Sequence, residues 1–152
     1  MTATEDRPAA AGLAMANGTP QSAALGIRIV SVVPGVAVLE VPYRADLVGD
    51  PRTGVLAGGV VTTLLDQACG LAIVTAPGFV ERAARTATLD LRIDYMRAAK
   101  PGATVVGRAH CYKLTRSVGF VRATAWDLDP DDPVATAQAA FALLAVPSPR
   151  AP

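Results

Sequence analysis

The stretch GVLAGGVVTTLLDQACG, Gly54 to Gly70, sets a single acid, Asp66, inside a run that is otherwise small and apolar. Gly58 and Gly59 open the run and Gly70 closes it. From Gly58 to about Ala76 the pattern is helical, and Pro77-Gly78 stops it, so the stretch predicts one long helix. Three, four and seven residues from Asp66 stand Gly59, Thr62, Thr63, Cys69, Gly70 and Ile73, a stripe of mostly small and hydroxylated side chains. Val60, Val61, Leu64, Ala68, Leu71 and Ala72 lie away from it. A helix this apolar on nearly every side must be wrapped by a sheet or sandwiched at a subunit interface.

Working outward, strands are predicted on both sides of the helix. IRIVSV and VAVLEVPY, separated by Pro34-Gly35, read as a hairpin. RADLVGDPRTGVLA has no period and reads as a loop leading into the helix. In LDLRIDYM, Leu89, Leu91, Ile93 and Tyr95 alternate with Asp90, Arg92 and Asp94, the period of a half-buried strand. TVVGRAHCYKL and SVGFVRATAWDL follow, joined by a turn at Thr115-Arg116. VATAQAAFALLAV is Ala-rich and helical by propensity, but its place after three strands and the turn cluster Asp129–Pro133 favour a strand. Two strands, a helix and four strands give an α+β layer architecture. Residues 1–22 read as a tail with at most a short helix, 23–147 as the single domain, and 148–152 as a C-terminal tail.

Composition narrows the function. Of 152 residues 51% are hydrophobic and 18% charged, with a formal net charge of +1. That balance gives no broad electrostatic attraction to nucleic acid or to an anionic membrane. Aromatic residues, at 5%, are too few for a base-stacking platform. No apolar run reaches the roughly 18 residues of a membrane span. The first 22 residues lack a basic start followed by an apolar block, so no secretory leader is expected there, and a cytoplasmic location is. The two cysteines, Cys69 and Cys111, read as small buried hydrophobes. The one histidine, His110, neighbours Cys111 on a predicted strand, where adjacent side chains point to opposite faces. No metal site is expected from so few ligands. Neither a phosphate-binding GxxxxGK[ST] loop nor a GxSxG nucleophile elbow is present.

An aspartate inside a helix costs stability unless it is paired. One reading makes Asp66 a structural acid, satisfied by Thr62, by a backbone amide across an interface, or by an arginine. The glycines support another. A helix starting at Gly58-Gly59 presents free amides that attract negative charge, and glycine lets a substrate carbonyl approach them. A carboxylate two turns along the same face would then serve the same reaction centre, a minimal apparatus for hydrolysing an activated acyl group.

GVLAGGVVTTLLDQACG followed by TATLDLRIDYMRAAKPG resembles the hotdog-fold acyl-CoA thioesterases of the phenylacetate-pathway, PaaI-like type. The resemblance runs from about Leu25 to Val146. It implies a six-stranded antiparallel sheet wrapped around one central helix, side-by-side dimers that join into tetramers, and acyl-CoA bound at the dimer interface. It implies no cofactor, CoA being part of the substrate. Asp66 matches the helix carboxylate that acts as base or nucleophile. Gly58 matches the glycine whose amide polarises the thioester carbonyl, and Thr88 matches a Ser/Thr that places water or the carboxylate. Ala57, Gly59 and Thr62 fall in the substrate-binding part, and Arg116 and Ser117 in a turn that contacts the nucleotide. The chain departs from the family at Ala57, where HGG is usual, and at Pro51, where an Asn often stands. Two functions follow: a thioesterase for a small or medium acyl-CoA, aryl groups included, with support weakened by Ala57; or a non-catalytic acyl-CoA-binding or scaffold protein that has lost the histidine.

Overall fold

Glycine and proline punctuation cuts the chain into its elements, and in the computed structural model, which describes residues 19–83 and 85–145, the cuts fall mostly where the sequence puts them. The tail readings for residues 1–18 and 148–152 lie outside the described residues. Pro20–Ser22, the end of the first tail segment, opens helix α1, Pro20–Leu25, capped by the Thr19 hydroxyl on the Ser22 amide. Strands β1, Arg28–Val33, and β2, Val36–Val41, form the hairpin around Gly35, whose φ of 74° is one that glycine adopts freely. The segment expected as plain loop carries more order than that. It holds a 3₁₀ turn at Ala45–Leu47 and a two-stranded ribbon of β3, Val48–Asp50, and β4, Val55–Leu56. A hairpin this short has almost no hydrophobic alternation to announce it.

The central helix, α2, spans Gly58–Val74, two residues shorter than the apolar pattern, and the Thr75 hydroxyl caps its end by donating to the Leu71 carbonyl. Four strands follow: β5, Arg85–Tyr95; β6, Val105–Leu114; β7, Val118–Trp126; and β8, Ala135–Leu144. With β1 and β2 they make one antiparallel sheet in the order β1-β2-β6-β7-β8-β5. Helix α2 packs against β2, β5, β6, β7 and β8, which is the hotdog arrangement.

The Ala-rich run forms a strand because its alternate residues meet the helix. Ala135, Ala137, Ala139, Phe141 and Leu143 are buried, as are Ala123 and Ala125 on β7 and Ala109 on β6. Small residues let a sheet and a helix that are both fully occupied approach closely. Two glycines carry this furthest. A Cβ at Gly107 would stand 3.1 Å from the Leu64 Cγ, and one at Gly119 would collide with the Ile73 Cδ1 and lie 2.9 Å from the Leu114 Cδ2.

Strand β5 departs from simple alternation. Its register against β8 shifts between Thr88 and Asp90, so Leu89 is an extra, bulged residue and is 60% exposed. Leu89 therefore leaves the inward set to which the sequence pattern assigned it. Thr86 and Thr88 pair with buried Leu143 and Phe141, while Leu91, Ile93 and Tyr95 pair with buried Ala139, Ala137 and Ala135. Facing partners share a face, so the bulge turns Thr88 inward together with Tyr95, although seven residues separate them. Regular alternation would put them on opposite faces.

The contact between Gly119 and Ile73 gives a packing prediction. Gly119→Ala should cost about 1–3 kcal/mol by overpacking. Ile73→Val, which removes the Cδ1, should cost about 0.5–1.5 kcal/mol alone. In urea unfolding the double variant should lose less than the sum of the two, the coupling expected of residues in contact.

Candidate functional site

Two clefts flank α2 on its β5 side. The first, of about 170 Å³, is lined by Asp66, Gln67, Gly70 and Leu71 of α2, by Thr86–Thr88 of β5 and by Phe141, with Thr19 at its rim. Asp66 is half-buried there. Its Oδ1 accepts a hydrogen bond from the Thr88 hydroxyl at 2.9 Å, and among the described residues no other donor and no cation reaches the carboxylate. The partner is thus neither Thr62 nor an arginine. Gly70 has no side chain to narrow the floor, where a Cβ would touch the Phe141 ring at 3.7 Å.

The second cleft, of about 310 Å³, lies at the start of α2 between Gly58, Val61, Leu56, Tyr95 and the segment Met96–Ala99. Ala57 is the residue before the helix, with φ −59° and ψ 137° and no side-chain cap. Its own amide is taken by the Leu47 carbonyl at 2.9 Å, which ties the ribbon to the helix start. The Gly58 and Gly59 amides have no acceptor among the described residues. A Cβ at Gly59 would meet nothing within 4 Å, so this side of the helix start is open. Thr62 is drawn into the helix start: its hydroxyl donates to the Gly58 carbonyl at 3.1 Å and lies 2.6 Å from the Tyr95 hydroxyl. The Tyr95 hydroxyl in turn donates to the same carbonyl at 2.7 Å.

A partly buried ion pair shapes the wall of this cleft. Arg97 grips the Asp127 carboxylate with two hydrogen bonds of 2.9 and 2.6 Å, and the Lys100 and Leu128 amides add two more. Arg97 holds the Asp127 carboxyl well below the usual carboxylate range, so the clamp stays charged and in place at neutral pH.

The site residues read from the sequence therefore fall into groups. Asp66 and Thr88 are together in the first cleft, and Gly58 is in the second, with Ala57, Gly59 and Thr62 around it. Within one protomer Gly58 and Asp66 do not share a centre: eight residues of helix separate them by about 12 Å. Two turns along one face is too far for one carbonyl carbon. Arg116 and Ser117 sit exposed in the β6–β7 turn and line neither cleft. Gln67 and Phe141 in the first cleft and Tyr95 in the second also line the walls and are not among the residues read from the sequence. Only tertiary folding brings Tyr95 and Phe141 to the helix, whereas Gln67 was legible as the neighbour of Asp66. Burial pushes the Cys69 thiol up to about 12, with the nearby Asp66 charge adding to the effect, which suits a packing residue and not a nucleophile. His110 pairs with Arg122 on the outer face, and Cys111 with buried Val121 on the inner one. Among the described residues there is no cluster of three or more metal-ligating side chains, and no helix is long and apolar enough to cross a membrane.

Comparison with known proteins places the fold and the sequence together. Residues 53–134 match the model of the thioesterase superfamily. The chain is 31% identical over 94 residues to acyl-coenzyme A thioesterase 13 of Homo sapiens, covering 62% of this chain and 63% of that protein. It spans 50% to 63% of the length of the curated relatives it matches. A thioesterase family protein from Silicibacter pomeroyi superposes with a TM-score of 0.80 at 28% identity, over 91% of this chain and 99% of the other. A point mutant of the phenylacetic acid degradation protein PaaI from Thermus thermophilus gives a TM-score of 0.70 at 29% identity, over 83% of this chain and all of the other.

An uncapped helix start leaves stability unclaimed. Ala57→Asp should place a carboxylate on the Gly59 or Val60 amide and raise stability by about 0.5–2 kcal/mol, read from the urea midpoint. The same substitution should weaken any ligand that needs those amides.

Proposed function

The chain belongs to the thioesterase superfamily as a PaaI-like hotdog protein, and from that membership we propose that it hydrolyses the thioester of a small or medium acyl-CoA, aryl groups included. The observation that carries this reading is the carboxylate of Asp66, held among the described residues by Thr88 alone on the wall of an open cleft. Thr88 engages one oxygen of the half-buried group, which leaves the other to take a proton.

In the proposed mechanism Asp66 accepts a proton from a water molecule that attacks the thioester carbonyl carbon. The thioester C–S bond then breaks with its electron pair going to sulfur, the proton held by Asp66 passes to that sulfur, and CoA leaves as its thiol together with the free acid. The negative charge on the carbonyl oxygen is received by helix-start amides, and Thr88 orients the carboxylate. No cofactor and no metal take part. Because the carboxylate and the amides of one chain are about 12 Å apart, the centre is made from Asp66 of one protomer and Gly58 of a second. The edge of the sheet suits such pairing, since β5 has a neighbour on one side only and exposes Leu89 and Tyr95 along it. A homodimer, or a tetramer of two dimers, follows as the working form. Arg116 and Ser117 are proposed contacts for the nucleotide end of CoA, and a cytoplasmic enzyme is the setting this substrate implies.

The alternative, an acyl-CoA-binding or scaffold protein, is favoured by one observation: Ala57 offers no side-chain donor beside the helix start.

Subunit mixing tests the shared centre. Asp66→Asn should lower turnover by roughly 10²-fold or more. Gly58→Pro removes the amide donor and adds a ring beside Tyr95, at a first helical position where proline is tolerated, and should cost about 10²–10³-fold. Each homo-oligomer should stay folded. Refolding the two inactive variants together should recover thiol release, because a mixed dimer holds one intact centre. No recovery from mixed oligomers would assign the centre to a single chain.

The histidine test separates the two functions. Ala57→His should raise thiol release by about 10–100-fold if an imidazole there holds the carbonyl against Gly58. If the native chain and this variant both bind acyl-CoA but release no thiol, the binding-protein reading replaces the enzyme.

A further inference from the structure

Three oxygens meet at the start of α2. The Tyr95 hydroxyl donates to the Gly58 carbonyl at 2.7 Å, the Thr62 hydroxyl reaches the same oxygen at 3.1 Å, and the two hydroxyls are 2.6 Å apart. Two hydroxyl protons serve these contacts. Whether Tyr95 donates to the carbonyl directly or through Thr62, at least one proton ends on the Gly58 oxygen. A threonine bonding the carbonyl four residues back is an ordinary helical habit. A tyrosine arriving from the end of β5, 37 residues away, is not.

The Gly58 carbonyl and the Gly59 amide are two ends of one planar peptide unit. Hydrogen bonds that draw electron density toward the oxygen strengthen the N–H at the other end, by about 10–30% per bond. That N–H has no acceptor among the described residues, and Gly59 itself is exposed. The Tyr95 ring is half exposed, and it packs against Gly58 at a distance where even a Cβ would be in ordinary contact, 3.5 Å away. The bond therefore joins two exposed groups and fixes the direction of one peptide, and the core does not depend on it.

We propose that Tyr95 is a positioning residue for thioester hydrolysis: with Thr62 it orients and polarises the Gly58–Gly59 peptide, so that the Gly59 amide joins the Gly58 amide in receiving the charge on the carbonyl oxygen. The assignment rests on the thioesterase reading. It also gives the second glycine a chemical role that its open surroundings leave unexplained by packing.

The test is Tyr95→Phe in the full-length chain, followed by thiol release, thermal melting and the Gly59 amide resonance in ¹H–¹⁵N spectra. Turnover should fall by about 3–10-fold with KM nearly unchanged, the pattern of an interaction made in the transition state. The melting temperature should stay put, and the Gly59 amide proton should move upfield. Thr62→Val added to Tyr95→Phe should deepen the loss, whereas Thr62→Ser, which keeps the hydroxyl, should restore most of what Thr62→Val removes. Unchanged turnover in Tyr95→Phe would overturn the assignment while leaving the thioesterase reading intact. So would a fall in turnover matched by a fall in melting temperature with the Gly59 resonance unmoved. A native chain that hydrolyses no acyl-CoA would overturn the thioesterase reading, and the role of Tyr95 with it.

Discussion

Everything in this protein depends on how closely one apolar helix lies on its sheet. Helix α2 buries Leu64, Leu65, Ala68, Cys69, Ala72 and Ile73 almost completely, which a single layer of strands can do only if its inner face is low. Alanines on β6, β7 and β8 and glycines at 107 and 119 make it low. The gain is apolar area removed from water, on the order of 25 cal/mol per Å². The constraint also fixes the helix rotation, because large side chains fit only over small ones. Thr62 and Asp66 are then left to meet hydroxyls of β5 instead of the core.

What these two side chains can do is decided by one inserted residue. Were β5 a regular strand, Thr88 and Tyr95 would lie on opposite faces, and one of the two hydroxyl contacts to α2 would be lost. The bulge at Leu89 lets Thr88 hold Asp66 while Tyr95 holds the helix start, two contacts about two helical turns apart. Bulges at sheet edges re-aim side chains in this way. Here it also pushes a leucine outward on an edge strand, where it stays exposed. A local irregularity thus sets both hydroxyl contacts to the helix and leaves an apolar side chain on the free edge of the sheet.

The helix start shows the opposing demand. Helix N-termini are ordinarily capped, and a Ser, Thr, Asp or Asn at position 57 would be more stable than alanine. Ala57 leaves the first amides without an internal partner, while the ribbon β3–β4 and the Tyr95–Thr62 pair hold them in place from outside. Amides left without an internal acceptor are what the proposed oxyanion would use, and leaving them uncapped lowers stability.

The sequence by itself determined the layer architecture, the identity of the helix and its acid, and the strand nature of the Ala-rich run once its position was weighed against its propensity. These are properties of periodicity and punctuation, which are local and survive without knowledge of the partner surfaces. The family motif also named Asp66, Gly58 and Thr88 as candidates for the site. Only the tertiary structure decided how they group. It paired Thr88 with Asp66, because a bulge is a property of two strands in register and leaves no mark on one. It placed Gly58 in a different cleft, because the rise of a helix is set by backbone hydrogen bonds and overrules a shared face. It brought Tyr95 to the helix start across 37 residues. Contacts made between elements distant in the chain depend on where the whole sheet carries them, and no local pattern encodes that.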